Sequence, residues 1–298
     1  MNKKKLISSE KDEELRKRFK KTKLKDKIYK IIGILTLIIS VFMFYKGNGF
    51  AGSILLLVGL IGCLLASLLN KSHFKNALSV DLIPGAFKSI FDNFDYRPKG
   101  CIDKDIISST DMGFPFSTGT IDIVKGDDFV KGSYHGVEFE ACNVDLQRRD
   151  TSDTAEYNDD SLFIGQWIVC DFKKRLSADV ILSKNKKNVR IRNGNIETDN
   201  DEFNEYYSVY SDNAEEVLHL LTPHMMKFIV SMDKNAWGDT YFHFLKNGKV
   251  HVAIESNRDL FELDKIAHQD YDRLTEQIKE EVRYIAFLIN KLKHSLFN

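Results

Sequence analysis

The residues able to do chemistry are few, and their spacing argues against most chemistry. His219 and His224 stand five apart across Pro223, so one helix face need not present both. His243 and His251 flank Asn247-Gly248 within an alternating apolar stretch, the pattern of a hairpin on a two-residue type I′ turn. That turn sets His243 opposite Val252 and His251 opposite Phe244. Side chains alternate along a strand, so this register sends the two imidazoles to opposite faces and argues against a shared metal site. Acids are paired at Asp127-Asp128 and Asp159-Asp160. Adjacent carboxylates face opposite sides of a strand and are solvated in a loop, and no histidine or lysine stands at a spacing that suggests acid–base or Mg²⁺ chemistry. Trp237, beside Gly238 and Asp239, fits a loop or core anchor better than the wall of a ligand pocket. Cys101, Cys142 and Cys170 have neither metal nor redox spacing and read, with Cys63, as free thiols of a reducing compartment. Phosphate-loop, dinucleotide, zinc-protease, nucleophile-elbow and kinase signatures are absent. No catalytic, cofactor-binding or metal-binding residue is expected, and no cofactor.

The elements around these residues begin with two apolar runs between Ile28 and Leu69, separated by Lys46-Gly47-Asn48-Gly49. The second run holds about 20 uncharged residues, the length a bilayer core requires of a helix. The first carries only Lys30, at its edge, with Tyr29 and Tyr45 at headgroup level. A link this short makes the pair an antiparallel transmembrane hairpin in contact with the lipid bilayer. Small residues recur at Gly59, Gly62, Cys63 and Ala66, and at Gly33, Thr36 and Ser40. They suit close packing of the two spans on each other, with a homo-oligomer through the membrane as the alternative. No acid, histidine or arginine lies inside either run, which argues against a channel or proton path.

Formal net charge is +0, yet lysines and arginines crowd the tail at 1–27, so the remainder is acidic. An acidic domain argues against nucleic acid as a partner. By the positive-inside rule both termini are cytoplasmic. With Leu15, Phe19 and Leu24 among its lysines, the tail either touches anionic lipid as an amphipathic helix or is simply solvated.

Beyond the hairpin, 70–95 reads as a connecting helix, its apolar pattern running from Leu78 to Phe94 and interrupted at Pro84-Gly85. A turn at 96–100 leads into 96–298, read as one α+β domain with a mixed or antiparallel sheet and flanking helices. Strands are expected at 120–124, 128–134, 137–144, 161–172, 180–182, 189–196 and 205–210, with acidic loops at 148–160 and 199–202. Asp212 and Glu215 have capping-box spacing, and Thr222-Pro223 opens a further helix. A long helix at 264–297 carries Tyr271, Leu274, Ile278, Ile285, Leu288 and Leu292 along one stripe. Glu281 interrupts that seam, so packing against the sheet of the same chain is favoured over a coiled coil.

The segments Phe203-Asn204-Glu205-Tyr206-Tyr207-Ser208-Val209-Tyr210-Ser211 and Leu220-Leu221-Thr222-Pro223-His224-Met225-Met226 resemble an uncharacterised bacterial family, domain of unknown function 3137. Tyr96-Arg97-Pro98, Gly126-Asp127-Asp128-Phe129-Val130-Lys131-Gly132 and Phe163-Ile164-Gly165-Gln166 are similar to its other shared segments, over about 79–262. The resemblance implies a bacterial inner-membrane protein with a cytosolic α+β domain, and it brings no established activity. The expected function is a binding, scaffold or sensor module with an unknown protein partner. The alternative is a membrane-tethered enzyme whose site is not recognisable from sequence.

Overall fold

The structure, a computed structural model, describes residues 3–91, 93–112, 121–149, 160–184, 195–235, 238–256, 260–261 and 270–297. Residues 150–159 of the expected loop at 148–160, with Asp159 among them, 189–194 of the expected strand at 189–196, Trp237 and the start of the last helix at 264–269 lie outside the described residues. Two compact units divide the chain: 1–86 with 263–278, and 87–262 with 279–298.

The first unit is built on helix α1 (Lys3–Tyr45) and helix α2 (Gly49–Lys88). Both are long and apolar enough to cross a membrane. In their apolar runs the large side chains face outward, with Leu57 at 61%, Val58 at 62% and Leu64 at 63% exposure. A helix that is apolar all round cannot be a water-facing surface element. Between the helices the small residues do the packing. A Cβ on Gly59 would lie 2.8 Å from Thr36 Oγ1, and one on Gly33 would lie 3.4 Å from Cys63 Sγ. Ser40 Oγ donates to the Gly52 carbonyl (2.8 Å) and Cys63 Sγ to the Tyr29 carbonyl (3.3 Å). The expected packing of span on span is therefore present, except that nothing lies near Gly62.

The tail continues α1 without a break. Phe19 is buried and meets the Tyr271 ring edge-on, 5.6 Å between centroids. Asp12 accepts from the Tyr271 hydroxyl (2.7 Å), and Arg16 pairs with Asp272. In this unit Phe19 packs on Tyr271 rather than being left for lipid, whereas Leu24 remains exposed.

The connecting helix ends earlier than its pattern suggests. Helix α2 runs through Pro84, with Leu82, Ile83, Ala86 and Phe87 buried, and stops at Lys88. Phe94, read as helical, belongs to strand β1 (Asn93–Arg97). It pairs with the strand at Ile123–Tyr134, before the turn closed by the Gly100 N–H on the Arg97 carbonyl (3.0 Å).

The second unit is organised on a fully antiparallel sheet in the order β1-β2-β3-β4-β9-β8-β5-β7-β6. Its strands are β2 (Ile123–Tyr134), β3 (Val137–Arg148), β4 (Asp160–Asp171), β5 (Val180–Lys184), β6 (Asn195–Ile196), β7 (Tyr207–Tyr210), β8 (Asp239–Phe244) and β9 (Lys249–Glu255). The β2–β3 turn is His135-Gly136, both with positive φ, as a type I′ turn requires. Strand β4 sits mid-sheet, and Trp167, Ile168, Val169 and Cys170 are buried in succession, which is why its sequence is an unbroken apolar run rather than an alternation.

Helix α3 (Lys104–Ser108) and its flanks bring Ile102, Ile107, Met112 and Ile121 onto one face, against Cys142, Trp167, Tyr241 and Ala253. Helices α4 (Asp201–Tyr206), α5 (Ala214–Leu220), α6 (Pro223–Asn235) and α7 (Tyr271–Phe297) complete the fold. Thr222 Oγ1 accepts from the Met225 N–H (3.3 Å), the expected cap of α6. Helix α5 is capped one residue later than expected, by Asn213. Asp201 and Glu202, expected in a loop, instead open α4 behind the Asn200 cap, where the helix dipole favours negative charge. Strand β7 starts only at Tyr207 as a result. In this unit α7 buries Val282, Ile285, Leu288, Ile289 and Leu292, and its expected packing against its own chain is met.

Candidate functional site

Two one-residue irregularities of the sheet decide which polar side chains meet. The first is a bulge in β2, where Asp127 pairs with Asn143 and Val130 with Ala141, leaving one residue too many between them. Asp128 absorbs it in the left-handed region (φ 54°), a conformation aspartate tolerates better than most residues. Its N–H donates to the Pro98 carbonyl (3.1 Å) and its carboxylate accepts from Tyr96. Adjacent carboxylates expected on opposite faces thereby converge. Asn143 Nδ2 donates to Asp127 Oδ1 at 2.8 Å and to Asp128 Oδ2 at 3.4 Å.

The same amide holds a distant backbone. The Leu260 N–H donates to Asn143 Oδ1 (2.6 Å), and Nδ2 also reaches the Leu260 carbonyl (3.4 Å). The next N–H, of Phe261, donates to Glu281 Oε2 (2.6 Å). Glu281 is 1% exposed, so the polar residue that interrupts the apolar seam of α7 has a purpose. Phe261 is itself left-handed (φ 54°) and meets Phe87 and Tyr96 edge-on. Asp127, Asp128, Asn143, Tyr96 and Glu281 thus form a clamp on residues 260–261. The aspartates are engaged there with amide and phenol groups. Of the histidines, His135 instead joins Asn290, through Nδ1 at 3.1 Å.

The second irregularity corrects the histidine register. The Gly248 N–H donates to the Leu245 carbonyl (2.9 Å), and Leu245 N–H to the Lys249 carbonyl (2.9 Å). Only Gly248, not Asn247, has positive φ (89°), so the loop is a type I turn with a glycine bulge, not type I′. The pairing moves by one residue, and His243 stands opposite His251. Both are buried, on the face that carries Trp167. Trp167 Nε1 donates to His251 Nδ1 (3.2 Å), and the Asp111 N–H to His243 Nδ1 (3.1 Å). Burial, with His243 and Lys249 adding to it, lowers the His251 pKa from 6.5 to about 3, so its imidazole is neutral. Among the described residues no third histidine, cysteine or acid joins a group able to hold a metal ion. His219 is exposed, with Glu215 3.8 Å away, and His224 meets the ring of His294.

Two pairings had no signal in the sequence. Lys184 and Asp233 form a largely buried ion pair (2.6 Å). Lys184 lies 5.0 Å from the rings of Tyr206 and Tyr207, and Asp233 also accepts the Thr240 N–H (3.2 Å). Burial, reinforced by Asp233, raises the phenol pKa of Tyr207 and Tyr284. Cys101 and Cys142, far apart in sequence, bring their sulfurs within 3.3 Å.

Comparison with known proteins adds a family match over part of the chain and little more. No curated protein matches the chain. It is similar to a solved structure described as the crystal structure of the mycobacterial trehalose monomycolate transport factor A, TtfA. The identity is 16% over 68% of this chain and 93% of that one, with a TM-score of 0.37. Nothing about this chain follows from a likeness of that degree. The family match begins later than the resemblance quoted above, so the segments around Tyr96 and Asp127 fall outside it. Residues 161–294 match the family described as protein of unknown function (DUF3137), the domain of unknown function that the sequence resembles.

Proposed function

We propose that this is a bacterial inner-membrane protein whose hairpin at 28–69 anchors, through the connecting segment 70–95, a cytosolic binding, scaffold or sensor domain at 96–298. Both termini are cytoplasmic, and the partner is another protein, with a further copy of the chain among the options. The apolar exterior of α1 and α2 supports the anchor. The carboxylate clamp carries the non-enzymatic part of the reading. Asp127 and Asp128, the best general acid–base candidates in the sequence, are tied through Asn143 to the Leu260 backbone. A general acid or base needs the group it serves within hydrogen-bond reach, and here that reach is taken by an amide that neither gains nor loses a proton near neutral pH. Holding 260–261 in place is a structural task.

The full chain in detergent micelles, screened by thermal shift against nucleotides, metabolites, metal ions and short-chain lipids, tests this reading. A ligand at a hundred times its dissociation constant adds about 2.7 kcal/mol. The expected result is no shift from any of them, together with a lower melting temperature for Asn143→Leu. A shift that Asp127→Asn abolishes while the unliganded melting temperature stays unchanged would overturn the non-enzymatic reading in favour of the tethered enzyme.

A further inference from the structure

Cys101 and Cys142 occupy one prepared place on the sheet. Cys101 lies in the irregular segment after the Arg97–Gly100 turn, partly exposed, and Cys142 is buried in mid-β3. Their sulfurs are 3.3 Å apart, in contact but unbonded. The neighbouring strand is cut away to seat Cys101: a Cβ on Gly126 would lie 2.5 Å from Cys101 Sγ and 2.4 Å from the Asn143 carbonyl oxygen. Those distances are not sterically allowed, so the missing side chain at 126 is what admits the sulfur. A backbone N–H, that of Ile102, donates to Cys142 Sγ (3.3 Å), a contact that favours negative charge on that sulfur.

We propose that Cys101 and Cys142 are a redox-reactive dithiol, oxidised to an intramolecular disulfide by peroxide. In the first step the Cys101 thiolate attacks one peroxide oxygen. The O–O bond breaks, sulfenic acid forms at Cys101, and the other oxygen leaves as hydroxide, taking up a proton to become water. In the second step Cys142 sulfur attacks the Cys101 sulfur. The S–S bond forms, the S–O bond breaks, and the departing oxygen takes the Cys142 proton and leaves as water. Two thiols lose two electrons and two protons in total, and peroxide is reduced to two waters. A dithiol reductant reverses the change by exchange, with the Ile102 N–H ready to stabilise Cys142 as the leaving thiolate.

The division of labour follows from the surroundings. The hydrogen bond from Cys142 lowers the Cys101 pKa, which favours the attacking thiolate, and burial raises that of Cys142. Cys170 supplies an internal contrast: it is fully buried and its pKa is raised to about 12. The disulfide would tie the segment before α3 to the middle of the sheet.

The test uses the reduced full chain in detergent micelles, treated with hydrogen peroxide, alkylated, digested and mapped by mass spectrometry. The expected product is the Cys101–Cys142 linked peptide, lost on treatment with dithiothreitol, while Cys170 keeps its free thiol. In Cys142→Ser a sulfenic acid should accumulate on Cys101, trapped by a cyclic diketone, at several times the wild-type level. Free Cys101 and Cys142 after peroxide would overturn the proposal, as would sulfinic acid at Cys101 with no linked peptide. The wild-type map decides the matter even if the variant fails to fold.

Discussion

The hairpin and the sheet unit use the same residue types in opposite ways. In the apolar runs of α1 and α2 the large side chains point outward and glycine, serine and threonine lie between the helices. In the sheet unit Trp167, Phe139 and Phe242 are sealed inside, and among its described residues the large apolar side chains left exposed are Ile164, Leu218, Phe287 and Phe297. Polar contacts differ as well. The hairpin makes short bonds to nearby backbone, such as Ser40 to Gly52. The sheet unit buries Asn143, Glu281 and His251 and satisfies them across long sequence distances. Apolar surface turned outward in one region and sealed inside in the other is the contrast that the proposed membrane anchor and water-exposed domain require.

If that contrast is right, core truncation is costly in one region and tolerated in the other. Trp167→Ala removes the largest fully buried side chain among the described residues and the donor to His251 Nδ1. It should destabilise the sheet unit by about 3–5 kcal/mol, read from chemical denaturation in micelles. Leu57→Ala, on the outward face of α2, should leave the same transition unmoved.

Acid should separate the regions with a comparable effect. His251 has its pKa near 3 when folded and 6.5 when unfolded, so between those values the unfolded chain binds the extra proton. Its contribution is complete above about pH 6.5 and is lost as pH falls toward 3, a span equivalent to roughly 4–5 kcal/mol at the most. Melting temperature against pH should therefore fall more steeply for the wild type than for His251→Gln.

The smallest effect belongs to the hairpin. Gly59→Val forces a side chain against Thr36 and should cost about 1–3 kcal/mol of helix–helix packing. Increased protease sensitivity of the hairpin, with the sheet unit's melting unchanged, is the expected readout.

What was legible in the sequence was local. Apolar run length gave the two helices, Thr222-Pro223 a helix start, and the stretch through Trp167 a strand, though not its place in the sheet. The failures came where one residue alters the alternation. At Asp128 a bulge brings two acids to one amide, and at Gly248 a glycine bulge turns His243 toward the face of His251. Neither follows from propensity, since Asn-Gly serves both turn types and an aspartate pair serves strand or loop. The clamp on residues 260–261 and the thiol pair are tertiary contacts, joining β3 to segments that no periodicity connects to it. Glu281 gave the one usable hint, as a charge set in an apolar stripe.

The most direct measurement labels thiols from one side of a sealed membrane. In intact cells producing the full chain with Asn48→Cys, a membrane-impermeant maleimide should modify the introduced thiol in the hairpin turn. Cys101 of the sheet unit should react only after permeabilisation. Modification of both positions from the same side, before permeabilisation, would contradict a membrane-spanning anchor.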